Sequence, residues 1–192
     1  MFDFNICNKE NCNAFVALDS KFCYRHSENK DELLKKMFTI LETQEIIRDI
    51  TFSHAEFENI STKQKRFSSS NFSWCTFRNI DFSSSKFTTC FFDFCLFDKC
   101  KFTDTDIRYS VFSGSKILTC DFSNSLLIHN NFSGIDAWFC DFSGSDLYFT
   151  TFCSSCLRDV SFEDCNLKKA DFRETEQRRL NFRYSNYEDA SK

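Results

Sequence analysis

One large apolar side chain recurs at every fifth residue from Phe52 to Tyr187, with no insertion or deletion to break the count. Phe occupies 18 of these 28 central positions, and only Thr62, Ala137 and Gln177 are neither aromatic nor large aliphatic. Neither the 3.6-residue period of a helix nor the two-residue period of a strand produces a strict period of five. A short fixed period indicates a stacked array in which each unit buries its apolar residue against its neighbours.

The residue two before each central residue is also expected to point inward. This inner position holds Ala, Cys, Ser or Thr in 20 of 28 repeats, whereas the other three positions are rich in polar and charged residues. A short extended piece and a turn in every five residues make a four-sided coil of 20 residues, and stacked coils lie about 4.8 Å apart. Two sets of central residues at a spacing of 20 support this coil because both are entirely Phe: Phe72, Phe92, Phe112, Phe132, Phe152 and Phe172, and the set from Phe82 to Phe182.

Several units carry a specific family resemblance. Residues 120–124 (Cys-Asp-Phe-Ser-Asn), 140–144 (Cys-Asp-Phe-Ser-Gly) and 170–174 (Ala-Asp-Phe-Arg-Glu) resemble pentapeptide repeats, whose units read roughly small–Asp/Asn–Leu/Phe–polar–polar. The resemblance extends over about residues 50–189. It implies an all-β solenoid, a right-handed quadrilateral β-helix of about seven coils and roughly 34 Å in length.

The segment before the array is predicted to cap its first coil. Asn29 and Glu32 form a candidate capping box at the start of a helix, and an apolar stripe at helical spacing follows: Leu33, Leu34, Met37, Phe38 and Leu41. The interpretation as a lid is favoured over that of a partner-docking helix. The predicted divisions are a Cys/His module at 1–28, a capping helix at 29–49, the array at 50–189 and a tail at 190–192.

The C-terminal end offers only a short tail to cover the last coil. An exposed coil edge invites pairing with another chain, and related pentapeptide repeat proteins commonly dimerise through their C-terminal coils. A homodimer through this end is therefore expected.

Composition points to a reducing compartment. Seven of the twelve cysteines lie at the inner position, where free Cys acts as a small hydrophobe. The N-terminus carries Asp3 where a signal peptide carries basic residues, and no apolar stretch approaches the length of a membrane span. We expect a cytoplasmic protein with reduced thiols and no membrane association.

Outside the array, the spacing Cys-x4-Cys-x10-Cys-x2-His offers four ligands for a structural zinc ion. A segment of fewer than 30 residues with little other hydrophobic core needs a cross-link such as a bound metal ion to be stable. The predicted metal ligands are Cys7, Cys12, Cys23 and His26. The alternative is that these cysteines pack on the helix without metal.

The sequence gives little support for catalysis. No Gly-rich phosphate loop, GxSxG or HExxH motif occurs, and His54 and His129 are interpreted as isolated surface residues. Cys153 and Cys156 form a CxxC that straddles a predicted turn, which is interpreted as chance in a Cys-rich chain ahead of a redox or metal site. No cofactor other than zinc is indicated, and a non-enzymatic protein is expected.

Charge suggests one specific class of partner. Residues 81–164 carry 12 acidic and 6 basic side chains, whereas both flanking parts of the array have a basic excess. Some family members resemble duplex DNA and bind type II topoisomerases, so a DNA-mimicking binder of gyrase is the alternative function. Duplex DNA carries about 12 charges over the ~20 Å that four coils span, twice the acidic excess here. Direct nucleic-acid binding is disfavoured because acidic coils repel phosphate, although Arg173, Arg178, Arg179 and Arg183 are basic.

The favoured function is a scaffold that binds a protein partner of unknown identity. Three groups of apolar residues occupy outward positions, and clustered exposed aromatics mark binding sites. The first candidate surface comprises Tyr109, Ile128, Tyr148 and Phe149. The second comprises Leu118, Trp138 and Phe139, and the third Trp74, Phe91 and Phe94. For the second group, a local slip that lets Trp138 or Phe139 fill a void beside Ala137 is the alternative.

Overall fold

The computed structural model describes residues 5–192 as a parallel β-solenoid of about seven coils preceded by one short helix. The first four residues of the predicted Cys/His module lie outside the described residues. A 3-10 turn at Tyr24–His26 precedes helix α1 (Lys30–Thr43), and a second 3-10 turn at Tyr187–Asp189 follows the last strand. Among the described residues, no helix is long and apolar enough to cross a membrane.

Twelve three-residue strands form two of the four faces of the solenoid. They are β1 Ile46–Arg48, β2 Glu56–Glu58, β3 Arg66–Ser68, β4 Thr76–Arg78, β5 Lys86–Thr88, β6 Leu96–Asp98, β7 Asp106–Arg108, β8 Lys116–Leu118, β9 Leu126–Ile128, β10 Asp136–Trp138, β11 Cys156–Arg158 and β12 Glu176–Arg178. One sheet has the order β1-β3-β5-β7-β9, and the other β2-β4-β6-β8-β10-β11-β12. Every pair is parallel with partners 20 residues apart, which confirms the predicted coil.

We number the faces by their central residues in one coil. The first face has Phe72 at its centre, the second Phe77, the third Phe82 and the fourth Phe87. The second and fourth faces carry the two sheets, whereas isolated parallel bridges join successive coils on the first and third. The parallel pairing begins with β1, within the segment assigned from the sequence to the capping helix.

The core consists of stacked columns of rings. Phe122 and Phe142 stack with centroids 4.8 Å apart and planes 5° from parallel, and Phe132 meets Phe122 edge-on at 6.0 Å. All three residues are fully buried. Offset and edge-to-face geometries are those that aromatic rings prefer, so each ring contacts its column neighbours and the adjacent face.

Small residues at the inner position also satisfy backbone groups between coils. The Ser115 hydroxyl donates to the Phe92 carbonyl at 2.8 Å, and it accepts from the backbone N–H of Cys95 at 2.9 Å. Buried thiols make similar contacts, such as Cys75 Sγ to the Phe52 carbonyl at 3.0 Å. All twelve cysteines are free thiols in this structure. Residues that are small and able to donate are favoured here because buried carbonyls need partners.

From the repeat centred on Phe52 to the one centred on Phe182, each repeat turns a corner two residues after its central residue, in the left-handed backbone region. Trp74 (φ 65°), Tyr109 (φ 52°), Phe139 (φ 56°) and Phe149 (φ 57°) all adopt it. For a residue with a side chain this conformation costs roughly 1–2 kcal/mol. Bulky aromatic residues at these corners therefore need a compensating contact or a role.

Different elements cover the two ends of the solenoid. Asn29 makes no side-chain cap bond to α1, so the predicted capping box is wrong. Leu33, Met37 and Leu41 of α1 are buried in the same core cluster as the rings of the first coils. At the other end the Tyr187 ring stacks on Phe182 with centroids 3.9 Å apart, which partly covers the last coil.

Candidate functional site

The four predicted metal ligands converge at the N-terminal end of the chain. Their ligand atoms all lie within 4.8 Å of one another: Cys7, Cys12, Cys23 and His26. Cys7 Sγ lies 3.5 Å and Cys23 Sγ 3.4 Å from Nδ1 of His26, and the thiols of Cys12 and Cys23 lie 3.9 Å apart.

Two tight turns bring the ligands together. In the first, the backbone N–H of Cys12 donates to the carbonyl of Lys9 at 3.1 Å, and Asn11 takes a left-handed φ of 59°. In the second, His26 N–H donates to the Cys23 carbonyl at 3.0 Å, so the two side chains share one side of the 3-10 turn. These turns are the local reason for the x4 and x2 spacings.

The two buried thiols of the cluster have different acidity. Burial opposes ionisation of Cys7, but hydrogen bonds with the backbone of Cys23 and Lys9 and with the side chains of His26 and Cys23 together outweigh it and lower the pKa of Cys7 to about 6. Burial raises the pKa of Cys23. The cluster thus offers a stabilised thiolate and two further soft sulfur donors beside one imidazole nitrogen, a donor set that zinc prefers.

The first candidate surface forms a stacked ladder on a corner of the fourth face. Tyr109 stacks on His129 at 5.3 Å, and His129 stacks on Phe149 at 5.0 Å. The Lys169 ammonium lies 4.8 Å from the Phe149 centroid and extends the column. Tyr148 packs edge-on against both His129 and Phe149. We call Tyr109, His129, Phe149 and Lys169 the fourth-face ladder.

Two residues of this surface were missed by sequence reasoning. His129 is not isolated but fills the gap between Tyr109 and Phe149, so its interpretation as an isolated surface residue is wrong. Leu126 lies on the same face and is 41% exposed, beside the half-buried Ile128. The signal was available, because residues 109, 129 and 149 are 20 apart and therefore share a corner.

In the second candidate surface, the Trp138 side chain is surrounded by charged side chains. The Trp138 indole lies between the Arg158 guanidinium, 4.8 Å from its centroid, and the Lys116 ammonium at 5.8 Å, and its N–H donates to Asp136. Ala137 keeps its register with Ile117 and Leu157, so the alternative of a local slip is wrong. Phe139 remains 60% exposed at the corner, while Leu118 is half-buried.

The third group lies on a corner of the first face. Trp74 stacks on Phe94 at 4.5 Å and on His54 at 5.9 Å, so His54 is also not isolated. The Phe94 ring covers Gly114, where an added Cβ would lie 2.6 Å from Phe94 Cε1. Phe91 is half-buried on the same face. This ladder therefore ends on a glycine that leaves room for its last ring.

Acidic side chains gather on the third face. Of the residues between 81 and 164, this face carries one basic side chain, Lys101, and six acidic ones: Asp81, Asp104, Asp121, Asp141, Glu163 and Asp164. Three of the carboxylates accept a hydrogen bond from the backbone N–H two residues later, at 2.8–3.1 Å: Asp81, Asp121 and Asp141. Half of these six acidic residues therefore stabilise the backbone turn in which they lie.

The two thiols of the CxxC pair contact different side chains. Cys153 Sγ contacts the Ser154 hydroxyl at 3.5 Å, whereas Cys156 Sγ contacts a carboxylate oxygen of Glu176 at 3.7 Å. The two thiols thus have different partners, on the first and second faces.

The sequence profile of a known family matches this chain. The profile, described as pentapeptide repeats, matches eight copies over residues 66–104, 120–159 and 155–190, more than half of the chain. The chain belongs to the pentapeptide repeat family. Pentapeptide repeat proteins are generally structural or interaction proteins. No curated protein matches the sequence.

Solved structures of pentapeptide repeat proteins are similar at low identity. One from the cyanobacterium Cyanothece 51142 is 11% identical, with a TM-score of 0.47, and the match covers 82% of this chain and 98% of that one. HetL, involved in heterocyst differentiation regulation in the cyanobacterium Nostoc, is 13% identical with a TM-score of 0.33, over 81% and 92%. QnrB1, a plasmid-mediated fluoroquinolone resistance protein, is 13% identical with a TM-score of 0.35, over 74% and 85%.

Proposed function

We propose that this pentapeptide repeat protein is a non-enzymatic interaction scaffold that binds a protein partner through the fourth-face ladder. The observation that carries the proposal is the continuous stack of exposed rings at corners whose backbone disfavours them. Tyr109 is 59% and Phe149 47% exposed although both adopt left-handed backbone. A function that selects aromatic side chains accounts for their presence there.

Stability alone gives a weaker account of the ladder. The left-handed corner costs roughly 1–2 kcal/mol for each residue, and an aromatic pair contributes about 0.5–1.5 kcal/mol beyond its buried area. The two effects nearly cancel. A rigid stack that leaves its edges in water is instead suited to bind a partner, because its side chains lose little further conformational entropy on binding.

The surroundings of the ladder indicate the chemistry of the partner. Leu126, Ile128 and Tyr148 add apolar area on the same face, and Lys168 and Lys169 lie at one end of the patch. A protein surface with an apolar centre and acidic residues at one edge would be complementary.

A matched pair of variants tests this surface. Y109N/F149N removes two rings of the fourth-face ladder, and W74N/F94N removes two exposed rings from corners of the first face. Asn tolerates left-handed backbone, so both variants are expected to fold with far-UV circular dichroism and thermal midpoints close to wild type. Capture of the native partner on immobilised protein should fall at least tenfold for Y109N/F149N and remain unchanged for W74N/F94N. Equal capture by both variants would contradict the proposal.

The alternative function is a topoisomerase-binding DNA mimic, and the acidic third face supports it. Its excess of five charges lies on one face over about four coils, below the ~12 charges of duplex DNA over the same ~20 Å. A supercoiling assay with purified gyrase tests it. Inhibition or protection at micromolar protein that is lost in D104N/D164N would favour this function, and no effect removes it.

We also infer that the C-terminal end pairs with a second copy. All three residues of β12 are exposed, and no strand of the described residues pairs with its outer edge. Such an edge is a template for pairing. Sedimentation equilibrium should give twice the chain mass at micromolar concentration, and a monomer at all concentrations would exclude the dimer.

A further inference from the structure

We propose that the Cys/His cluster binds one zinc ion, and that this ion holds residues 5–28 together as a lid over the first coil. The ligands are Cys7, Cys12, Cys23 and His26. The inference concerns the N-terminal end alone and does not depend on the surface that binds a partner.

The positions of the donor atoms fit a tetrahedral ion. Metal–sulfur bonds of about 2.3 Å and a metal–nitrogen bond of about 2.0–2.1 Å place neighbouring ligand atoms about 3.5–3.8 Å apart. The contacts of Nδ1 of His26 with Cys7 and Cys23, at 3.5 and 3.4 Å, and the Cys12–Cys23 separation of 3.9 Å are close to these values. A small inward movement of the thiols would complete the tetrahedron.

The donor set indicates both the metal and its role. Three sulfurs and one imidazole nitrogen form a closed four-ligand site, which is typical of structural zinc, whereas catalytic zinc keeps one position for water or substrate. The backbone N–H of Lys9 lies 3.5 Å from Cys7 Sγ. Such a bond orients a thiolate ligand and partly neutralises its charge.

The hydrophobic core of residues 5–28 is too small for this module to fold without a cross-link. Within residues 5–28 only four residues are buried, and two of them are the proposed ligands Cys7 and Cys23, beside Val16 and Ala17. A segment of this size normally needs a disulfide or a metal for stability. Metal binding would supply the missing free energy of folding.

The module in turn contacts the open end of the solenoid. The backbone N–H of Leu18 donates to the Thr51 carbonyl at 2.9 Å, and the Tyr24 ring lies 5.2 Å from Phe52. Ala17 belongs to the same core cluster as Phe52. An ordered module therefore shields the first coil, and a solenoid needs such a cap because its end rings otherwise face water.

Metal analysis of four proteins tests the site. Protein purified under reducing conditions and reconstituted with zinc should hold one ion per chain in the wild type and close to none in C12S. C153S, which removes a half-exposed thiol of the solenoid, should keep its zinc. H26C should also keep it, because Nδ1 rather than the distal nitrogen faces the cluster and a Cys sulfur has similar reach.

Two further measurements separate the alternatives. Cobalt titration of the wild type should give visible thiolate charge-transfer and tetrahedral ligand-field bands that are absent from C12S, even if that variant folds poorly. On chelation, hydrogen exchange should accelerate at residues 5–28 and around Phe52 but not around Phe132. Reduced wild-type protein that takes up neither metal would overturn the proposal. So would an intact mass two hydrogens below the reduced chain, which would identify a disulfide.

Discussion

Thr62 is the one polar side chain among the central residues of the first five coils, and replacing it with Val should stabilise the protein. Thr62 is 1% exposed, and its hydroxyl has no hydrogen-bond partner. It borders a cavity of about 10 Å³ whose other lining residues are apolar: Leu41, Phe57, Ile60, Phe67, Phe72, Phe77, Ile80, Phe82, Phe87 and Phe92. A water molecule there would have one polar partner, too few to be held.

The expected gain follows from the lost hydroxyl. A buried polar group without a partner costs about 1–3 kcal/mol, and Val has nearly the same shape as Thr. The backbone contacts of Thr62 with Asp81 and Ser85 do not involve its side chain and remain. We expect Thr62→Val to raise the free energy of unfolding by about 1–2 kcal/mol, or the thermal midpoint by about 2–4 °C per kcal/mol in a chain of this size.

Thr105 provides a matched control with the opposite sign. It is equally buried, but its hydroxyl donates to the Phe102 carbonyl at 2.8 Å and lies 3.0 Å from the Ser125 hydroxyl. Thr105→Val should therefore lower stability by about 1 kcal/mol. Urea unfolding followed by far-UV circular dichroism measures both changes, with the slope against urea unchanged. If Thr62→Val destabilised the protein as much as Thr105→Val, the account of an unsatisfied hydroxyl would be refuted.

Three other predictions concern corners, charges and thiols. Gly114→Ala and Gly134→Ala should each cost roughly 1–2 kcal/mol because both corners are left-handed. Only Gly114→Ala should change tryptophan fluorescence, because its added Cβ displaces the Phe94 ring, which stacks on Trp74. A Cβ at Gly134 has no neighbour nearer than 3.9 Å. Equal fluorescence spectra for the two variants would contradict the close contact between Phe94 and Gly114. The hydrogen bond from Arg173 lowers the pKa of Asp171, so its stabilisation is present above the ordinary pKa of about 3.9 and is lost as pH falls through the lowered value. A pH titration of the Asp171 carboxyl carbon by carbon-13 NMR should show the lowered pKa, and Arg173→Gln should raise that pKa. Burial raises the pKa of most inner-position thiols, so Ellman's reagent should modify Cys153 in the native protein long before them; uniform labelling would show that the core opens.

The array was predictable because one physical requirement repeats along it. A central ring must be buried in every five residues, so the sequence alone assigns Phe122, Phe132 and Phe142 to a shared interior, and their stacked and edge-on contacts confirm it. The same register determined which outward residues share a corner. That Tyr109 and Phe149 share one corner of the solenoid follows from their separation of 40 residues alone.

The ends and the ring contacts were harder to predict because local rules compete there. Asn29 has the residue type of a helix cap, yet its backbone φ of −109° and ψ of 56° leave the side chain without a cap bond. His129 was overlooked because its type suggested catalysis or solvent, whereas its place is set by the rings 20 residues before and after it. The convergence of Cys12 on Cys23 depends on a left-handed turn at Asn11, which spacing indicates only indirectly.

The uniform 20-residue register has a consequence for how such a chain changes length. Removing 20 residues from the middle would delete one coil, shorten the solenoid by about 4.8 Å and leave the four faces of the remaining coils aligned. Removing five residues would instead rotate all later faces by a quarter turn, so that the basic C-terminal residues would lie on a different face from before. Duplication and loss of whole coils therefore preserve a binding surface, and the gain or loss of a single repeat redistributes its residues around the axis.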